Sequence, residues 1–507
     1  MTQRGMQSQA ETGFDPKVTI DAVFRRNVHM QPGALALSDP SDRAHVTGGA
    51  PRHFNYAEAD VAINRLARQL RTLGLPEQAI VAIQLPNTVE AVITLLAVMR
   101  AGFVALPVPM LWGRSDLVAA LKEIAPRAFI TATKFGDTRP AETACEVAAE
   151  LFTLGFPCAF GADVPDGVIP LTLDPHPNED GEPVSLSRPL SPENFAIATF
   201  DASHEGAFAV ARTHGQWLAA GFAIAMEANI ASGDHIVSTL PPSSLAGIAS
   251  AFIPWLMVGG TLQLSHGYSP SAVAEAPAGA HLAAPAIALQ SLAAQENGGL
   301  SSCIAVHRGP ETLGLDLSRL HCDAIVDMQV FGEIGFTALR RIAKIMPSPI
   351  PVGEITAPVE TEGAPAVIET RRLPDGTLAV RGAMVPGKPL AIGGRASLVQ
   401  IEFDADRFVR TNLKCHASGG VLVIEAAPEG ILQIGGLRFS AGEISARIAQ
   451  AFPDAQLVAI PDPLLGSRCI VQTSDAAHAI TALDEAGLSS VIIDGIREWP
   501  QARRAAG

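Results

Sequence analysis

The stretch from Phe54 to Pro109 constrains this chain more than any other, because helical and extended periodicities alternate there with tight turns between them. Asn55 and Glu58 have the spacing of a capping box, with Asn in place of the usual Ser or Thr. Ile63, Leu66, Ala67, Leu70 and Leu73 then recur along one helix face, and Gly74 can close that helix. Ile80–Leu85 reads as a short apolar strand ended by Pro86-Asn87. Val89–Arg100 reads as a second helix stopped at Gly102, and Phe103–Leu106 as the next strand. Strand, helix, strand with tight turns is a βαβ unit, which commits the chain to a parallel sheet covered by helices.

The pattern continues. Leu117–Ile124 is predicted helical and Ala128–Thr131 extended. Gln216–Glu227 reads as a helix, His235–Leu240 as a strand, and Ile248–Val258 as a helix before a strand at Thr261–Leu264. Gly161–Pro192, dense in Pro, Asp and Gly, reads as a surface loop. From Pro351 the texture changes to short strands with turn signals such as Pro374-Asp-Gly-Thr. A last unit carries a helix at Glu443–Ala451 and strands near Gln456–Ile460 and Cys469–Thr473.

The expected class is α/β: a large N-terminal domain of layered, mainly parallel sheets with helices, a small β-rich subdomain, and a small C-terminal α+β domain. The expected divisions are a disordered tail over residues 1–14, then 15–350, 351–425 and a mobile 426–507.

The formal net charge of −15 argues against nucleic acid or an anionic membrane surface as partner. Six cysteines are widely spread with no C-x-x-C, which fits buried thiols in a reducing cytoplasm better than a disulfide framework. The polar N-terminal dozen residues lack the apolar core of a signal peptide. The apolar run Gly247–Leu264 is broken by Pro254 and Gly259-Gly260, so a buried segment with a turn is expected rather than a membrane span.

Several short segments, in order, carry a family resemblance. They are Asn55-Tyr-Ala-Glu, Val81-Ala-Ile-Gln-Leu-Pro-Asn, Met99-Arg-Ala-Gly-Phe-Val-Ala-Leu-Pro-Val-Pro, Pro254-Trp-Leu-Met-Val-Gly-Gly, Asp375-Gly-Thr-Leu-Ala-Val-Arg-Gly and Gly435-Gly-Leu-Arg-Phe-Ser-Ala-Gly-Glu-Ile. Together they resemble the adenylate-forming superfamily of acyl- and aryl-CoA synthetases, peptide-synthetase adenylation domains and luciferases. The resemblance implies a two-step reaction. A carboxylate attacks the α-phosphate of Mg-ATP to give an acyl-AMP, and after a swing of the C-terminal domain a thiol, usually of CoA, displaces AMP. It also implies a small-molecule carboxylate or acyl thioester as ligand, and an acyl-carrier or other protein as a further candidate partner.

The first step gathers negative charge around phosphorus and needs cations and backbone donors in place beforehand. Counting back from His214, which matches a family histidine, the family's Ser/Thr/Gly-rich phosphate loop and its lysine fall on Phe200–Phe208. Ser203, His204 and Gly206 stand in that loop, Ala202 and Glu205 take glycine positions, and Phe208 takes the lysine position. The family's ribose-gripping Thr-Gly-Asp is Thr411-Asn412-Leu413, and leucine cannot accept a hydrogen bond. The hinge arginine falls near Ala426, and no lysine follows Lys414, so the family's C-terminal catalytic lysine has no match.

Of the aromatic-Gly-x-Thr-Glu motif only Glu333 survives, as a Mg²⁺ contact or a helix cap. The acyl pocket is expected at Ser244 (in place of a gating histidine), Gly247, Phe331 and Gly332. Gly435, Gly436 and Glu443 match the loop that lines the pantetheine tunnel, or else make a turn and a helix start.

A hydrogen bond to a charged group is worth roughly 1.5–3 kcal/mol, so losing three such groups costs on the order of 4–9 kcal/mol if additive. Even the low end is roughly a thousandfold in rate. Weak or lost ATP-dependent ligase activity is therefore expected. The alternatives are a pseudoenzyme that binds an acyl group, pantetheine or a protein, and an ATP-independent acyl-thioester transferase or hydrolase relying on Ser203, Ser244 or Cys415. Asp201, Ser203, His204 and Glu205 lack the geometry of a hydrolytic triad and read as a surface loop. Cys415-His416 reads as structural, and Arg503-Arg504 as a poor substitute for the missing lysine.

Overall fold

A computed structural model of the chain describes residues 18–174, 184–266, 276–292, 299–356, 366–392, 395–396, 401–426, 430–434, 437–462 and 466–496. The expected tail at 1–14, Gly435, Gly436 and Arg503-Arg504 lie outside the described residues.

The βαβ unit forms as its periodicity requires. Asn55 and Glu58 cap the Tyr56–Thr72 helix reciprocally, side chain to backbone at both residues. Ile80–Gln84, Val104–Pro107, Ala128–Ala132 and Phe156–Phe160 are parallel, buried strands. Their near-continuous apolar sequences follow from having helices on both faces. The seven-stranded sheet runs Ile169–Leu171, Phe156–Phe160, Ala128–Ala132, Ile80–Gln84, Val104–Pro107, Phe195–Ser203, Gly206–Thr213. Only its last pair is antiparallel. The edge strand Ile169–Leu171 corrects the reading of Gly161–Pro192 as loop throughout. Three residues of I-P-L are too short to show a period of two.

A second, eight-stranded sheet is parallel through His235–Ser238, Thr261–Leu264, His281–Pro285, Leu300–His307 and Cys322–Phe331. It ends in the antiparallel strand Gly335–Arg340. Six short antiparallel strands between Ile350 and Ala426 make a third sheet. Leu437–Ser440, Ile431–Ile434, Gly466–Gln472 and Gln456–Asp462 make a fourth, with helices Ala441–Ala451 and Ala476–Glu485.

Between the two large sheets, Trp255 stacks on Tyr56 at 6.1 Å with Phe24 and Phe252 beside it. Tyr56 Oη and Trp255 Nε1 both donate to the Gly260 carbonyl, at 2.8 and 3.0 Å. The Gly259-Gly260 turn is thus a fixed point of the core. The expected helix Ile248–Val258 is a π-helical turn over Ile248–Phe252 followed by α-helix over Ile253–Val258. Ile253 N–H donates to the Ile248 carbonyl, widening the turn just before Pro254, which has no N–H to continue an α-ladder. Among the described residues, no helix is long and apolar enough to cross a membrane.

His214 opens the helix that follows the hairpin Phe195–Thr213, where Thr213 and Gln216 form a capping box. Its ring is buried, and Nδ1 accepts from the Ile20 N–H at 3.3 Å, tying the first helix to the core. Burial lowers its pKa from 6.5 to about 4. Between those values the unfolded chain binds the proton more readily, so stability is lost as pH falls through that window. The shift corresponds to about 3 kcal/mol. Urea unfolding from pH 7 down to pH 4 should show a steeper loss for wild type than for His214→Gln. Equal slopes would mean that the ring is not buried neutral.

Candidate functional site

Residues 195–213 form a long β-hairpin, with Asp201 across from Phe208 and Ser203 across from Gly206. Its alternating Ala, Val, Phe and Thr residues suit a pleated ladder, and Gly206, at φ +132°, sits beside the His204-Glu205 turn. A phosphate-gripping loop leaves several N–H groups free to converge on an anion. Here the segment is drawn into a hairpin, whose alternate N–H groups bond across the two strands, and the Ala202 N–H is taken by the Asp201 side chain. The surface-loop expectation holds for His204 and Glu205, whose side chains are 83% and 61% exposed. It is corrected for Asp201, which is buried.

Asp201 is the centre of the site. Its carboxylate pairs with Arg438 Nη1 at 2.9 Å and accepts N–H bonds from Ala202 at 2.7 Å and Glu333 at 2.8 Å. Arg438 comes from the strand Leu437–Ser440 of the fourth sheet, and both side chains are buried. Glu333, just beyond the strand Cys322–Phe331, accepts from the Leu245 N–H at 2.5 Å and faces Arg308 Nη1 at 3.4 Å. Its pKa is raised, first by burial and also by Asp201, while Arg308 and the Leu245 N–H oppose the rise.

Arg212 donates to the carbonyls of Glu333, Ile334 and Met384 at 2.6, 2.8 and 3.0 Å, fixing the turn that carries Glu333. Burial lowers its pKa to about 10, and lowers that of Arg308 as well. Gly332 lies against the centre at φ +62°, and a Cβ there would overlap Arg438 Nη1 and Asp201 Oδ2.

The other predicted residues fall around this cluster with other tasks. Phe208 is buried in the main apolar core, directly opposite Asp201. Ser203 Oγ accepts from the Glu205 N–H at 3.1 Å and donates to the Gly206 carbonyl at 3.3 Å, closing the hairpin turn. Thr411 and Leu413 lie in the strand Val409–Ser418. There Thr411 Oγ1 donates to the Leu378 carbonyl at 2.8 Å, and Leu413 packs in the core.

Ser244 caps the turn Leu245–Gly247, accepting from the Gly247 N–H at 3.2 Å. A Cβ at Gly247 would overlap the Pro241 carbonyl, and Phe331 is fully buried. Glu443 starts the helix Ala441–Ala451, where Ser440 caps it, and its Oε2 lies 3.1 Å from the Cβ position of Gly206. Cys415 is buried and burial raises its thiol pKa.

The carboxylates of Asp201 and Glu333 are both already held by guanidinium and N–H groups. Among the described residues, no cluster of three or more His, Cys, Asp or Glu side chains is arranged to hold a metal. Sequence reasoning missed Arg212, Arg308 and Arg438. The available signal was Asp201 itself, an acid in an otherwise apolar strand that requires a buried cation.

Layered parallel sheets, a small antiparallel sheet and a C-terminal α+β unit define an adenylate-forming ligase fold. Residues 24–306 match the model of the AMP-binding enzyme family, and the chain belongs to that family. It is similar to glycine betaine reductase ATRR of Emericella nidulans, 31% identical over 118 residues, which is 23% of this chain and 8% of that protein. The matched segments span only 1% to 22% of the length of such curated relatives. Among solved structures it is similar to MbtA of Mycobacterium smegmatis (18% identical, 96% of this chain and 92% of that chain, TM-score 0.63). It is also similar to the amide bond synthetase McbA of Marinactinospora thermotolerans (16% identical, 94% of each chain, TM-score 0.67).

Gly332→Ala should lower stability by about 3 kcal/mol, from overpacking and an unfavourable left-handed backbone. Chemical denaturation measures it. An unchanged midpoint would mean that Arg438 is not seated against Gly332.

Proposed function

We propose that this chain is an acyl- or aryl-CoA synthetase-like member of its family whose ATP-dependent adenylation is weak or lost. In this reading it keeps a site for a small carboxylate or acyl thioester and acts by binding. The observation that carries the reading is the buried Asp201 carboxylate, paired with Arg438 and bonded to two backbone N–H groups. A triphosphate would have to bring its own negative charge against that carboxylate, at an additional electrostatic cost. Phe208 and Leu413 add no compensating cation or acceptor.

The inherited reaction is activation of a carboxylate by ATP followed by thioester formation. By resemblance Glu333 is the motif residue that would touch a metal in that reaction, and here its carboxylate is directed at Leu245 N–H and Arg308. The reading as an ATP-independent transferase gains no support from its three candidate nucleophiles. Ser203 closes a turn, Ser244 caps a turn, and Cys415 is a buried thiol with a raised pKa. A binding role leaves room for an acyl-carrier protein or another protein partner, delivering or receiving the acyl group near Glu443.

Carboxylate-dependent ATP–pyrophosphate exchange tests the proposal. The expected result is no exchange above blank across aliphatic and aromatic acids, and no Mg-ATP binding in calorimetry. Phe208→Lys with Leu413→Asp should not restore exchange while Asp201 remains. Exchange by the wild-type protein within about a thousandfold of an active ligase of the family, or tight Mg-ATP binding, would overturn it.

A further inference from the structure

We infer that Asp201 and Arg438 form a bolt, in which a side chain of the N-terminal part serves as internal anion and holds the C-terminal sheet closed against the hairpin Phe195–Thr213. The inference rests on the reading above, that the site is shut to triphosphates, and extends it to the movement of the C-terminal unit.

Two backbone N–H groups, from Ala202 and Glu333, converge on the Asp201 carboxylate at 2.7 and 2.8 Å. A guanidinium completes the shell, with Arg438 Nη1 at 2.9 and 3.2 Å from the two oxygens. Donors of this kind, fixed and aimed at one point, are what an enzyme uses to receive a ligand's negative charge. Here they receive a charge that the chain carries itself. Gly332 makes the arrangement sterically possible, since any side chain there would take the space of the pair.

The pair is retained at a cost. Among the described residues, Nε and Nη2 of Arg438 have no hydrogen-bond partner although both atoms are buried. A buried ion pair of this kind contributes position more dependably than stability.

Position is what the surrounding contacts share. Ser440 Oγ donates to the His204 carbonyl at 3.4 Å, and Glu443 lies beside Gly206 at the hairpin tip. Further along the same interface, Arg447 Nη1 meets Asp116 at 2.7 Å and the Ser115 N–H donates to the Gly487 carbonyl at 2.9 Å. Arg114 Nη2 donates to the Glu485 carbonyl at 2.8 Å. Of these contacts the Asp201–Arg438 pair is the most deeply buried, so it is the one that water cannot replace when the units part. A partner that opens the cleft must therefore supply an anion for Arg438, or a cation for Asp201, before the C-terminal unit moves.

The Ser115 amide is a reporter for this closure. It sits in the first turn of the helix Arg114–Ile124, where no intrahelical acceptor exists, and its partner Gly487 belongs to the C-terminal unit. Hydrogen exchange resolved to single residues, on the full chain, tests the bolt. In wild type the Ser115 amide should exchange at least a hundredfold more slowly than an unprotected amide.

In Arg438→Met and in Asp201→Asn the exchange should rise at least tenfold, while the central strand Ile80–Gln84 stays protected. The double variant should behave like either single one. Small-angle scattering should show a larger radius of gyration for the variants. Unprotected Ser115 in wild type, or unchanged exchange in the variants, would overturn the bolt. Where one of the two variants fails to fold the other decides, since each alone removes the pair. ATP–pyrophosphate exchange within about a thousandfold of an active ligase, by a wild-type protein with a protected Ser115, would overturn the functional proposal and leave the bolt standing.

Discussion

One carboxylate sets the terms for the centre of this molecule. Asp201 is removed from water, and an isolated buried charge is too costly to keep without partners. It therefore has to be met by a cation and by N–H donors: the neighbouring Ala202 supplies one N–H, and two distant places supply the rest, Arg438 and Glu333. Each recruitment has consequences. Arg438 brings the C-terminal sheet to the hairpin, the Glu333 N–H fixes the end of the longest strand of the second sheet, and Gly332 must remain a glycine.

The hairpin explains why the anion had to come from a side chain. An extended ladder points its remaining N–H groups sideways along the strand edges and does not converge them on one point, as an anion-gripping loop does. Residues 195–213 pair along nearly their whole length. What remains at the cleft is side-chain chemistry, with Phe208 turned into the core opposite Asp201. Arg212, Arg308 and Glu333 then settle their charges against one another and against backbone carbonyls. The result is a site whose two carboxylates are met from within, while several buried guanidinium N–H groups keep no partner among the described residues.

Much of the fold was legible in the sequence because the βαβ unit is local. Asn55 to Pro107 can be read from capping, helix-face spacing and apolar runs, each a relation between residues close in the chain. The strand Ile169–Leu171 and the π-helical turn before Pro254 were not legible. One is too short to show a period, and the other depends on how a helix accommodates a missing N–H while packed against the helix His214–Glu227. The site was less legible than the fold. Motif positions identified Phe208, Leu413 and Glu333 as the places to look, but not what would face them.

The sequence by itself determined the family architecture, and it puts Ala202, Glu205, Phe208 and Leu413 where the resemblance leads one to expect glycines, a lysine and a carboxylate, because these are properties of residue type at a given place in the chain. Only the tertiary structure decided which charges meet at the centre. Asp201 and Arg438 are 237 residues apart, and their pairing depends on two sheets meeting and on the space left beside Gly332. An acid in an apolar strand says that a partner is needed; burial and distance, which arise only when the chain is folded, say which one it is.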